Sequence, residues 1–97
     1  MKINKELVDR LTKATDINEL EWKIEGDGYC VVRNNITIHI LREPESRTNV
    51  IAVQTNYEYG LTPHYVEGGM VCLIESIKRF FDRETSKDLK LFLQGLL

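Results

Sequence analysis

The sequence predicts an α+β fold: an N-terminal helix, a three- to four-stranded antiparallel meander, and one or two C-terminal helices packed on the sheet. Two observations carry that expectation. The stretches Leu20 to Glu25, Tyr29 to Arg33 and Ile36 to Arg42 alternate apolar and polar residues with turn-forming pairs between them, the period of a half-buried antiparallel sheet. An amphipathic helical repeat brackets them on each side.

The first helix is expected from about Lys5 to Thr15. Asn4 is placed to cap it by accepting from backbone N–H groups of the first turn, and Ile3 and Val8 have the spacing of a hydrophobic staple. Leu7, Leu11 and Ala14 recur at helical intervals, with Val8 widening the stripe, while Lys5, Asp9, Arg10 and Lys13 face water. The period then changes to two, so that Leu20, Trp22 and Ile24 point one way and Glu21, Lys23 and Glu25 the other. Gly26-Asp27-Gly28 supplies the first reversal and Asn34-Asn35 the second, since glycine and asparagine accept positive φ. Ile36, Ile38 and Ile40 then form an apolar face opposite Thr37 and His39.

Glu43-Pro44-Glu45-Ser46-Arg47 separates the third strand from a fourth at about Asn49 to Asn56, because proline cannot donate to a ladder. Val50-Ile51-Ala52-Val53 is apolar on both faces, which predicts cover by the chain's own helices on one face and by a partner on the other. After Gly68-Gly69 a helix is expected over about Met70 to Asp82. Thr85-Ser86-Lys87-Asp88 resembles a capping box, so a third helix beginning there and a single bent helix are both open.

A chain of 97 residues, 42% of them hydrophobic, supports one domain and one core, and residues 1–97 are read as that single domain. Lys and Arg total 13 against 15 Asp and Glu, a net charge of −2, so composition does not advertise a polyanionic partner. No apolar run has the roughly 18 residues a membrane span needs, and Met-Lys-Ile-Asn-Lys-Glu opens no secretory signal. A cytoplasmic location follows by default. Cys30 and Cys72 sit in apolar patterns, where cysteine behaves as a small hydrophobe in a reducing compartment.

The candidate chemistry is sparse. Cys30, His39, His64 and Cys72 lack the close pairing of ligands that a tetrahedral zinc site uses, so no metal or other cofactor is expected. The apolar settings of both cysteines would raise a thiol pKa, no serine sits on a nucleophile elbow, and the carboxylate pairs fall on surface-like segments. No catalytic residue is therefore expected, and a small hydrolase would require a buried carboxylate beside His64. Arg79, Arg83, Lys87 and Lys90 would align as a basic stripe on an unbroken helix. Interleaved acids and the pairs Glu75 with Arg79 and Lys78 with Asp82 make it a solvated face instead, and nucleic acid is not the favoured partner.

Two features point to binding. Tyr57, Tyr59, His64 and Tyr65 surround a loop that is neither short nor purely polar; they either frame a ligand or lid the end of the sheet. Gly68-Gly69 before a helix adds free N–H groups, although Glu67 would repel a phosphate. The other feature is the tail, where Leu89, Leu91, Phe92, Leu93, Leu96 and Leu97 spread apolar side chains over more than one helix face. Either the small core buries them or they form an interface, with Leu89, Phe92, Leu93 and Leu96 as its contact residues.

Leu-Val-Asp-Arg-Leu-Thr-Lys-Ala-Thr from residue 7, followed by Leu20-Glu21-Trp22, resembles the opening of small uncharacterised bacterial and prophage α+β proteins. The resemblance covers about the first 40 residues and carries no catalytic residues. It implies a mobile-element context in which binding and blocking are commoner jobs than catalysis. The resulting expectation is a non-enzymatic cytosolic protein-binding module, of the kind that inhibits a host system, acting as a homodimer or docked on a larger protein. The alternative is a small-ligand or nucleotide binder using the aromatic loop at residues 57–69.

Overall fold

Helix α1, Lys5–Asp16, begins where Asn4 stands in extended conformation and its Oδ1 accepts from Leu7 N–H at 3.3 Å. Val8 is fully buried and Ile3 packs beside it against the core, the staple expected from their spacing. The computed structural model describes residues 2–57 and 62–96. Its remaining elements are β1 (Lys23–Glu25), β2 (Gly28–Arg33), β3 (Ile36–Arg42), β4 (Asn49–Thr55) and α2 (Met70–Leu93). The strands form one antiparallel sheet in the order β1-β2-β3-β4, a meander with both helices on one face. No described helix is long and apolar enough to cross a membrane.

The turns follow their residues. Asn34 and Asn35 take φ of 51° and 66°, joining β2 to β3 through two left-handed residues, the hairpin turn whose twist suits its strands. A side chain at Gly28 would collide with the Ile40 carbonyl of β3, so only glycine fits there. Strand β1 is shorter than the alternation suggested. Leu20 and Trp22 are buried ahead of it, while Ile24, expected on their face, is 70% exposed because it lies on the outermost strand.

Val31, Ile40 and Ile51 meet Val8 and Leu11 of α1 and Leu73, Ile77 and Phe80 of α2 in the core. Trp22 Nε1–H donates to Thr15 Oγ1 at 2.9 Å, and that hydroxyl donates to the Leu11 carbonyl at 2.7 Å, so these buried polar groups are satisfied. The sheet's other face is also closed at β4: Val50 and Ala52 are 3% and 0% exposed within the single chain. The backbone at Ile51 exchanges both hydrogen bonds with His64, which lays residues 62–66 along that edge. The partner expected to cover that face is therefore not needed.

Helix α2 is continuous through Thr85 and Ser86, so the C-terminal region is one helix rather than two. Nothing between Asp82 and Leu89 breaks it: there is no glycine or proline, and the Thr-Ser pair is solvent-exposed, where a helical conformation costs only a few tenths of a kcal/mol. The two helices run parallel. Gly69, ahead of α2, abuts Val8 and Asp9 near the start of α1. At the other end Arg79 donates to Asp16 at 3.1 Å, and Arg83 to the Thr15 carbonyl at 3.1 Å and Asn18 Oδ1 at 2.9 Å. The guanidinium groups thus satisfy acceptors where the α1 macrodipole is negative. The expected pairs within α2, Glu75 with Arg79 and Lys78 with Asp82, are absent among the described residues; Arg79 pairs with Asp16, and Lys87 with Glu84 at 3.3 Å.

Candidate functional site

The apolar stripe that anchors α2 is Met70, Leu73, Ile77 and Phe80. Continued at helical spacing it runs into Glu84, so the sheet-facing side turns polar past Phe80. A second stripe starts there on a different side of the helix. Leu89 is 53% exposed, Phe92 68%, Leu93 52% and Leu96 59%. Every residue from Thr85 to Leu96 is exposed, and the molecule measures 51 Å along its longest axis against 28 and 25 Å. The distal part of α2, from Thr85 on, is an arm that extends past the end of α1, where Arg83 makes the last contact with it.

The four residues expected at an interface are all exposed, Leu89, Phe92 and Leu93 on the last turns of α2 and Leu96 just beyond them, and intramolecular burial of these four does not occur. A second apolar surface was not foreseen. Between α1 and the β2–β3 hairpin lies an open cleft of about 310 Å³ whose floor includes buried Leu11, Leu20 and Val31. Half-buried Ala14, Ile36 and Ile38 wall it, and Arg10 and Arg33 stand at its exposed margin. The sequence signal was present in Ile36 and Ile38, but only the placement of α1 shows that the helix leaves them partly uncovered.

The aromatic loop residues do not converge in the same way. Tyr57 is 93% exposed and Tyr65 66% exposed. His64 and Tyr65 are neighbours in an extended segment, so their side chains leave on opposite sides. Tyr65 lines a recess of about 450 Å³ with Pro63, Val50, Thr48, Ser46 and Glu43. Tyr59 lies outside the described residues. The glycine pair leads directly into α2, yet the Asp9 carboxylate packs at Gly69, so an acid of the chain itself occupies the anion-favouring helix start.

The buried histidine with a carboxylate partner is His39. It is 6% exposed on the sheet face away from the helices, with Nδ1 2.7 Å from Glu25 Oε2 and Nε2 3.1 Å from Gln54 Oε1. The cross-strand register creates the cluster: His39 stands opposite Cys30 on β2 and Ala52 on β4, with Glu25 and Gln54 two pairs away on the same face, in opposite directions along the strands. The hydrogen bond with His39 holds the Glu25 carboxyl below its ordinary value. Burial, and then the neighbouring carboxylate, push the Cys30 thiol up. That direction is away from the thiolate form a nucleophilic cysteine uses. Among the described residues no three His, Cys, Asp or Glu side chains are grouped to hold a metal ion, and both cysteines are free thiols.

Comparisons with protein-family models, with curated proteins and with solved structures find no match to the chain. The fold defines its class: a two-layer α+β domain with a four-stranded antiparallel sheet, from which the exposed end of α2 projects.

Proposed function

We propose that the chain is a non-enzymatic, cytosolic protein-binding module that acts through the distal half of α2, either by self-association or by docking on a larger protein. The observation that carries this reading is the exposed stripe of Leu89, Phe92, Leu93 and Leu96 on an arm that contributes nothing to the core. Monomers rarely leave a contiguous apolar patch of several hundred Å² in water without using it. An inhibitor of a host system from a mobile element is a job such a module suits. Light scattering over a wide concentration range, together with pulldown from the native host, tests it. A monomer at high concentration that captures nothing dependent on Phe92 would remove its support.

The second reading, a small-ligand or nucleotide binder at residues 57–69, is favoured by the recess beside Tyr65 and the exposure of Tyr57. Thermal-shift screening with nucleotides addresses it. Stabilisation that disappears in Tyr65→Ala would promote that site over the arm.

A further inference from the structure

We infer that the arm's partner is a second copy of this chain and that its receptor is the cleft between α1 and the β2–β3 hairpin, the two copies exchanging arms reciprocally. This rests on the arm being a binding element and goes on to name what it binds. Asp88 and Phe92 are one four-residue helical step apart, so they share one side of the arm, an acid one turn ahead of an aromatic anchor, with exposed Leu96 just beyond the helix end. The cleft presents the complement, an apolar floor with Arg10 and Arg33 at its margin.

The charges on both sides are free to respond. Among the described residues Asp88 and Arg33 make no ion pair, and Arg10 has only the solvent-exposed Glu6 at 3.3 Å. Phe92 seated on the cleft floor would bring Asp88 toward the two arginines. The contact is between copies because α2 is unbroken from Met70 to Leu93 and carries the arm beyond the end of α1, away from Arg10 to Ala14. A straight helix has no hinge with which to return to its own cleft.

Size argues for reciprocity. One short helical arm is a small contact beside the roughly 1,200 Å² at which stable complexes begin, and reciprocal exchange doubles it. Two-fold exchange also closes the assembly at two copies, while one-way insertion would continue into a larger ring or a filament.

Light scattering and sedimentation on the full chain test the pairing with variants at exposed positions. Phe92→Glu and the double variant Arg10→Glu with Arg33→Glu should each weaken self-association at least tenfold while leaving the thermal midpoint of the monomer unchanged. Adding Asp88→Arg to the cleft variant should restore association, because both charges are then reversed. A wild-type dimer weakened by Phe92→Glu and indifferent to the cleft variant overturns the cleft and leaves the arm as a binding element. A wild-type monomer at high concentration overturns the second copy as partner, and host pulldown with and without Phe92→Glu then decides separately whether the arm binds another protein.

Discussion

The two ends of α2 place their apolar side chains in opposite environments. In the first, Met70, Leu73, Ile77 and Phe80 are between 0% and 7% exposed; in the second, Leu89, Phe92 and Leu93 are all more than half exposed, as is Leu96 just beyond the helix. The first half lies over β2 to β4 and is fastened to α1 by Arg79 and Arg83, whereas the second has no layer to lie on. The stripe is re-aimed between them rather than continued, with Glu84 standing on the sheet-facing line and Asp88 between the two stripes. A helix selected only to cap a small sheet would end near Phe81 or turn polar all round. Carrying a second apolar side onward makes sense when that side has its own counterpart.

The largest test of this contrast is one methyl-rich side chain in each half. Ile77→Ala should cost about 2–5 kcal/mol, because a fully buried side chain leaves a cavity as well as losing its transfer free energy. Leu89→Ala should stay within about 0.5 kcal/mol at concentrations where the chain is monomeric, since that side chain is already in water. Urea titration followed by Trp22 fluorescence measures both. Comparable losses would mean that the arm is part of the folding unit, and the distinction between the halves would disappear.

Next in size is the clasp that separates the halves. Arg83→Ala removes two donated hydrogen bonds at the end of α1 and should cost about 1–2 kcal/mol, less than a fully buried charged bond because the side chain is only half-buried. Lys87→Ala, one turn further out and paired only with Glu84 on the surface, should cost at most about 0.5 kcal/mol. Equal effects would place the boundary of the body beyond residue 87. Trp22→Phe should fall between them at about 1 kcal/mol, since it deletes the bond to Thr15 while keeping most of the apolar area; circular dichroism replaces fluorescence as its readout.

These tests concern positions that the sequence disclosed unevenly. The meander was legible because its code is local: alternation sets the faces, and Gly28, Asn34 and Asn35 set the reversals. The helical continuity through Thr85 was ambiguous because the residues of a capping box are tolerated inside an exposed helix. The arm's leucines were visible as a surplus, but whether the core absorbs them depends on where the sheet stops, which no periodicity records. The Glu25–His39–Gln54 cluster and the cleft at Ile36 and Ile38 arise from pairing register and from the placement of α1, both set by contacts distant in sequence.

The smallest expected effect sharpens the contrast through pH. Asp16, which receives Arg79 from the buried half of α2, is held below the ordinary carboxylate value by the Ser76 hydroxyl and then by the Arg79 guanidinium, and partial burial only partly offsets them. A carboxyl depressed in the folded state contributes stability above its unfolded pKa of about 4, and that contribution is lost as pH falls through the lower folded value. Glu25, depressed by His39, acts in the same direction. Both side chains are nearly half exposed, so water screens each contribution and the loss is modest. The urea midpoint of the wild type should therefore decline between about pH 5 and pH 3, and Asp16→Asn, weaker at neutral pH, should decline less steeply. Parallel declines would show that Asp16 does not fasten the proximal half of α2. A flatter profile would assign part of the acid sensitivity to the join between the helices, leaving the arm outside the cooperative unit.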